Sequence, residues 1–354
     1  MKALVLCGGS GTRLRPITHT TAKQLVPVAN KPVLYYGLEA IAEAGITDVG
    51  IVVGETSREI KQAVEDGNRW GLNVSYIFQD KPLGLAHAVL VSEEYIAGDE
   101  FVMYLGDNLI RDGIKACVDQ YRENRPNCQI LLAHVPEPQR FGVAELEGGK
   151  VVRLVEKPEV PPSDLALVGV YMFDGNIMDA VKAIKPSGRG ELEITDAIQW
   201  LIDQGFTVDP HVINGWWKDT GRLEDMLEAN RIMLEDIEPS SHGHVDSASN
   251  VVGRVVVEKG AEVIGSTIRG PAVIGEGTKI INSFIGPYTA IYYGVTISGS
   301  EIEHSIILEN STVTDIPGRI EDSLIGQNVE VARSPLKPAA FRLMLGDNSR
   351  VGLL

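Results

Sequence analysis

Two sets of residues in this sequence have the types and spacing needed for chemistry on phosphates. The first is the run Gly8-Gly9-Ser10-Gly11, followed by Arg13, Arg15 and, about ten residues further on, Lys23. Glycines carry no Cβ, so their backbone N–H groups can close around a phosphate chain while the neighbouring cations add positive charge. The second set is a pair of aspartates, Asp107 in YLGDN and Asp219 in WWKDTG. Mg²⁺ prefers one or two carboxylates and a ligand's phosphate oxygens to a full protein cage, so two aspartates brought together would suffice. Taken singly, each aspartate is more often a helix cap or turn residue, and GGSG alone also reads as a plain strand-to-helix turn. Two common phosphate motifs are excluded by spelling. No stretch matches G-x-x-x-x-G-K-[ST], and the spacing from Gly9 and Gly11 puts Leu14 where a dinucleotide fingerprint needs its third glycine.

Such residues act together only if folded elements converge on them. Ala3-Leu4-Val5-Leu6 reads as a buried strand ending at the glycine run, and Pro16 and Pro27 keep the segment beyond that run from being one helix. Pro32 to Gly45 reads as a helix, 48–54 as a strand, and Thr56 with Glu59 as a capping box opening the helix SREIKQAVEDG. Alternation continues with a strand at 74–78, a helix at 84–96 and a strand at 100–107 that delivers Asp107. This order predicts an α/β fold, a parallel sheet with helices on both faces and ligands at the carboxyl ends of its strands. Gly148-Gly149 marks a hairpin turn, and FTVDPHVI reads as the strand before Asp219, with the helix GRLEDMLEANRIML after it.

After residue 236 the pattern changes. The polar stretch 237–250 reads as a linker between a catalytic domain at 1–236 and a repeat domain at 251–333. In the latter, Val257, Val263, Ile268, Ile274, Ile280, Ile285, Ile291 and Ile297 recur in steps of six, six and five, so one turn takes seventeen residues. A hexapeptide-type repeat of this kind predicts a left-handed parallel β-helix burying one aliphatic residue per short face, against the blander antiparallel sandwich. The repeat frays after Ile302, and 334–354 reads as a tail with a short capping helix, its second LGDN at Leu345 to Asn348 a coincidence. His304 is the one histidine beyond the linker, so a surface histidine is expected there rather than an acyltransferase base. Packing of subunits or binding of a regulator is the expected role of the solenoid.

The 354 residues have a formal net charge of −16. An acidic surface attracts neither nucleic acid nor an anionic membrane, so neither is expected as a partner, and a phosphate ligand must meet a local cationic cluster. No apolar stretch is long enough to span a bilayer. Three cysteines, Cys7, Cys117 and Cys128, form neither an even set nor a C-x-x-C, which points to a reduced, cytoplasmic setting.

The stretch GGSGTRLRPIT followed by AKQLVPV resembles the signature of the sugar-1-phosphate nucleotidyltransferases, and KQL resembles the glucose-1-phosphate thymidylyltransferases in particular. The resemblance implies a Rossmann-like, mixed, mostly parallel sheet. On the nucleotide side it implies that Leu6, Gly8, Gly9, Gly11, Thr12, Arg13 and Lys23 surround the phosphates and that Gln24 hydrogen-bonds thymine. Gln79, Pro82 and Gly84 would complete the base pocket beside Leu85, and Asp107 would also contact the nucleotide. GDN and W-x-DTG match the family's metal motifs, so Asp107 and Asp219 are expected to hold Mg²⁺. Phe141-Gly142-Val143 and Glu156-Lys157-Pro158 resemble its FGV and EKP elements; read alone, Glu156 and Lys157 are a solvated strand end. By the resemblance, Glu156 takes sugar hydroxyls and Lys157 the sugar phosphate, in a cavity lined by Asn108, Gly142, Gly169, Tyr171 and Trp217. Glu191 and Asp196, in GELEITDAI, are further candidates. Cys7 departs from the family's usual alanine and is expected to be a packed core thiol.

The implied reaction joins dTTP and glucose-1-phosphate into dTDP-glucose and pyrophosphate. Arg13, Lys23, Asp107, Lys157 and Asp219 are its expected catalytic set, in a homo-oligomer assembled through the β-helix. Other nucleotides (UTP, CTP or ATP), a second acetyltransferase activity, and a catalytically inactive regulatory subunit are the alternatives.

Overall fold

The structure, a computed structural model, describes residues 1–333 and 351, apart from 10, 20 and 214. The expected tail helix and the second LGDN lie outside the described residues. The chain forms two compact units, one of Met1–Ser10, Thr21–Leu25 and Val33–Asp219, the other of Gly11–Thr20, Val26–Pro32 and Thr220–Leu354.

The first unit is built on β1 (Lys2–Leu6), β2 (Asp48–Val53), β3 (Asn73–Phe78), β4 (Phe101–Leu105), β5 (Asn108–Ile110), β6 (Cys128–His134), β7 (Gly142–Glu147), β8 (Lys150–Glu156), β9 (Leu165–Phe173), β10 (Val208–Val212) and β11 (Trp217–Asp219). The main sheet runs β8-β7-β9-β4-β1-β2-β3, with β6 also paired to β9 and β10 to β6. Strands β4, β1, β2 and β3 are mutually parallel, and β9 enters antiparallel to β4. The sheet is therefore mixed, as expected. Pro210 sits in β10, which pairs only with β6 and so can spare an N–H.

Side chains alternate across this sheet. Ala3, Val5 and Cys7 face α1 (Val33–Glu43), α2 (Ser57–Val64) and α4 (Lys115–Asn124). Leu4 and Leu6 face α3 (Leu85–Val91), α5 (Ile177–Ala183) and α6 (Ile194–Asp203). Both faces are thus apolar, which is why β1 reads as an uninterrupted aliphatic run. Two local expectations change. The Thr56 side chain makes no cap hydrogen bond at the start of α2, so the capping box is not formed. The helix expected over 84–96 is broken at Ser92, whose hydroxyl donates to the Ala88 carbonyl at 2.7 Å, and resumes as Glu93–Ile96.

The second unit is the expected left-handed parallel β-helix, its short strands stacked into three parallel sheets. Seventeen-residue register is seen directly, with Val256 paired to Val273, Ile268 to Ile285 and Ile280 to Ile297. The aliphatic residues read from the repeat are buried inside, and the Ser283 and Ser300 amides donate to the hydroxyls of Ser266 and Ser283 in the coil below, at 3.0 and 3.2 Å. One boundary moves. Ser240–Ser241, His244–Val245 and Asn250–Val252, within and just beyond the polar stretch expected to be a linker, pair in parallel with the next coil and form the first turn. An end coil has a neighbour on one side only, so it can dispense with the full set of inward aliphatics. The coils continue past Ile302, where the sequence repeat frays, up to Glu330–Ala332 within the expected 251–333. Ile291 pairs with Ile307, Ile302 with Ile320 and Val313 with Val331, so corners of changed length shift the sequence period while the inward position stays aliphatic. Helix α7 (Leu223–Glu235) lies against the strand Thr289–Ile291, and the residues Val273, Ala290 and Ile306 between the inward ones are buried too. Among the described residues no helix is long and apolar enough to cross a membrane.

Candidate active site

Strand β1 ends at Leu6, and Cys7-Gly8-Gly9 follows at the carboxyl edge of the sheet. A Cβ on Gly8 would stand 2.8 Å from Gln79 Oε1, so a larger residue there would push the Gln79 amide aside. Gly9 lies beside the Lys23 side chain. Cys7 is fully buried and burial pushes its thiol far above the usual range, as expected of a core thiol. Gly11, Thr12 and Arg13 belong to the second unit. There Thr12–Leu14 forms a short 3-10 turn, anchored by buried Leu14 and by the Thr18 hydroxyl on the Gly11 carbonyl at 2.7 Å, with Arg13 exposed.

Four side chains of the first unit form one chain of polar contacts. Lys23 Nζ is ion-paired to Asp107 Oδ2. Asn108 Nδ2 donates to Asp107 Oδ1 at 3.2 Å, and Trp217 Nε1 donates to Asn108 Oδ1 at 2.5 Å. Burial alone would raise the Asp107 carboxyl, but the charge and hydrogen bonds of Lys23 outweigh it and hold the group below the usual carboxylate range. It is therefore ionised at neutral pH. β11 pairs antiparallel with β5 so that Asp219 is registered against Asn108, one residue from Asp107. The two aspartates expected to act together are thus brought to neighbouring positions by a two-stranded ribbon. Two hard oxygen donors, one of them already holding a cation in Lys23, fit a small divalent ion that takes its remaining ligands from phosphate and water.

On the base side, Gln24 is 1% exposed and its Oε1 has no hydrogen-bond partner among the described residues. A buried amide carbonyl left unpaired costs about 1–3 kcal/mol, so it is a place for an incoming donor. Gln79 is buried, its Nε2 held by His87 Nδ1 at 2.9 Å and by the Gly84 carbonyl at 3.4 Å. Pro82 is exposed at the loop rim, and Leu85 begins α3.

On the opposite side, β7 and β8 join through the expected Gly148-Gly149 turn and place Gly142 against Glu156. A Cβ on Gly142 would meet Leu167, Thr195 and, at 3.2 Å, Glu156 Oε2. Glu156 accepts from the Thr195 hydroxyl at 3.3 Å and lies 3.5 Å from the exposed Lys157 ammonium. Lys157 has a φ of 42°, a left-handed conformation that turns the chain just after β8. Tyr171 is buried and stacked on Phe173, its hydroxyl kept neutral by burial and then by Glu156. Phe141 meets the Trp217 ring edge-on at 5.1 Å, and Gly169 lies under Asn108. Trp217 thereby connects the two ends of the site.

Sequence reading missed Arg189, which donates to Glu156 at 3.2 Å and to Glu191 at 3.0 Å and lies 3.5 Å from buried Glu193. It precedes the GELEITDAI motif by a single residue, so the motif itself was the available signal. Glu191 is spent on this arginine, and Asp196 feels Glu156 only as a secondary influence after its own burial.

The chain is also similar to known proteins. Residues 2–236 match the nucleotidyl transferase family. The chain is 58% identical over 351 residues to a glucose-1-phosphate thymidylyltransferase of Streptomyces griseus, covering 99% of each. It is 59% identical over 353 residues to one of Streptomyces antibioticus, again covering 99% of each. A solved structure from Bacillus anthracis, assigned as a glucose-1-phosphate thymidylyltransferase, is 35% identical and superposes with a TM-score of 0.63 over 68% of this chain and 98% of its own. An aspartate pair registered by β5 and β11, a glycine run at the end of β1 and these matches lead to one conclusion: the chain belongs to the nucleotidyl transferase family, on the branch that holds the glucose-1-phosphate thymidylyltransferases.

Proposed function

We propose that the protein transfers a thymidylyl group from dTTP to glucose-1-phosphate, releasing pyrophosphate and forming dTDP-glucose. A phosphate oxygen of the sugar phosphate attacks the α-phosphorus of dTTP, and the bond to the β,γ-diphosphate breaks in line. No general base is needed, because the attacking oxygen is already ionised near neutral pH. The protein's work is to bring two anions together and to neutralise the charge that builds up. Backbone N–H groups of the glycine run and Arg13 hold the β- and γ-phosphates. Lys23 exchanges its partner Asp107 for the α-phosphate as dTTP enters. Lys157 and Arg189, which flank Glu156, draw in the sugar phosphate while Glu156 accepts from sugar hydroxyls. Asp107 and Asp219 would hold Mg²⁺, which when bound neutralises phosphate charge that the lysines and arginines cannot reach.

The observation that carries the base assignment is Gln24. Thymine presents an imide N–H donor beside a carbonyl acceptor, the complement of a side-chain amide whose buried oxygen lacks a donor. Uracil carries the same imide, and the likeness to thymidylyltransferases supports thymine over it. Gln24→Leu keeps the volume and removes both hydrogen-bonding atoms. It is expected to lower kcat/KM for dTDP-glucose formation by about 10- to 100-fold and to erase the preference for dTTP over CTP. Chromatographic assay of nucleotide-sugar product measures both. An unchanged preference between those nucleotides would refute the assignment.

A further inference from the structure

We propose that the β-helix holds the phosphate-binding segment in its working conformation, with Asn230 and Asn30 as the positioning residues. The contacts that argue this lie entirely within the second unit, which contains both Gly11–Thr20 and Val26–Pro32. These segments flank the stretch that bears Lys23 and Gln24, and the first of them carries Arg13. Val26–Pro32 is a small hairpin, Pro27–Val28 paired to Lys31–Pro32, turning at Ala29 and Asn30 with φ of 48° and 61°. Its turn is fastened twice. Asn230, on α7 and 1% exposed, accepts the Ala29 N–H on Oδ1 at 2.9 Å and donates through Nδ2 to the Tyr288 carbonyl at 3.0 Å. Asn30 Nδ2 donates directly to the Ile291 carbonyl at 2.6 Å.

One buried amide thus joins the hairpin to a corner of the solenoid, and a second reaches the strand beyond that corner. The amide side chain of Asn230 accepts from one backbone group through its oxygen and donates to another through its nitrogen, so it ties the two together. Tyr288 stands in the left-handed region, φ 58°, at the turn leading into the strand Thr289–Ile291. The other segment touches a later coil, where Ile17 Cδ1 would stand 3.4 Å from a Cβ on Gly326. The chain passes from Gln24 through Leu25 into the hairpin at Val26, so a shift of the hairpin is passed on to Gln24 and Lys23 through very few rotatable bonds. A solenoid is suited to this task because each coil is fixed by its neighbours and leaves rigid backbone carbonyls at its corners.

The proposal rests on the reading of Arg13, Lys23 and Gln24 as nucleotide contacts, so its test has one arm that needs no nucleotide. In full-length Asn30→Gly, glycine accepts φ near 61° without strain and only the bond to Ile291 is lost. Asn230→Asp keeps the acceptor for Ala29 and replaces the donor to Tyr288 with a buried oxygen facing that carbonyl, a larger disturbance than a lost bond. Hydrogen exchange of the unliganded variants, read by mass spectrometry, is expected to speed up across residues 11–32 and to stay unchanged in the main sheet of the first unit. With the triphosphate that the wild type uses best, KM for the triphosphate is expected to rise about fivefold for Asn30→Gly and further for Asn230→Asp, while KM for the sugar phosphate stays constant. Unchanged exchange across 11–32 would overturn the proposal, as would faster exchange with an unaltered triphosphate KM. A lower Tm with both KM values unchanged would reduce the two asparagines to structural residues. Were the wild type to turn over no nucleotide, the proposed reaction would fail, and the exchange arm would still decide whether the solenoid holds the segment.

Discussion

Asp107→Asn is expected to lower kcat by about 10³-fold while the far-UV circular dichroism stays that of the wild type. The carboxylate stands in the turn between β4 and β5, ionised because Lys23 outweighs the cost of its burial. An amide there keeps the size and the contact with Asn108 but contributes no negative charge toward a divalent ion. Lys23 would be left facing a neutral partner, so some stability is lost, about 1–3 kcal/mol. Steady-state kinetics with a thermal melt of the same sample separates the two effects. If turnover persists within tenfold of the wild type, Asp107 is not a ligand of the ion that the reaction uses.

Arg13→Ala is expected to reduce kcat/KM for the triphosphate by about 10²- to 10³-fold, with stability within about 0.5 kcal/mol of the wild type. The side chain is exposed, while the turn that carries it is anchored by Leu14 and Thr18. Its removal therefore costs the fold little. Arg13→Lys should recover part of the loss, since it restores the charge without the guanidinium fork that grips two phosphate oxygens at once. Fluorescence or calorimetric titration with the triphosphate checks whether the loss lies in binding. A full-strength Arg13→Ala enzyme would remove this residue from the phosphate site.

These expectations depend on pairs of residues far apart in sequence, and the chain advertises such pairs unevenly. The β1 strand and its glycine run were legible because an aliphatic run cut off by four small residues has few other meanings. The solenoid was legible because a buried position recurring every seventeen residues leaves its mark in composition. Its ends were not. The first coil is polar because it has one neighbour, and the later coils change corner length, so both fall outside a fixed period. Asp107 and Asp219 were each ambiguous, and what joins them is a short β5–β11 ribbon whose register cannot be read from either strand alone. Arg189 lies in an irregular loop with no periodicity to mark it, so apart from the adjoining GELEITDAI motif its role shows when Glu156 is seen beside it. The same holds for Asn230, an unremarkable helix residue until its two backbone partners are known.

The most direct measurement is pyrophosphate release by the purified protein with Mg²⁺ and glucose-1-phosphate, offering dTTP, UTP, CTP, ATP and GTP in separate reactions. The account predicts the highest kcat/KM with dTTP and no release when Mg²⁺ is chelated. A clear preference for another nucleotide would contradict the base assignment centred on Gln24, and silence with all five would contradict the proposed reaction itself.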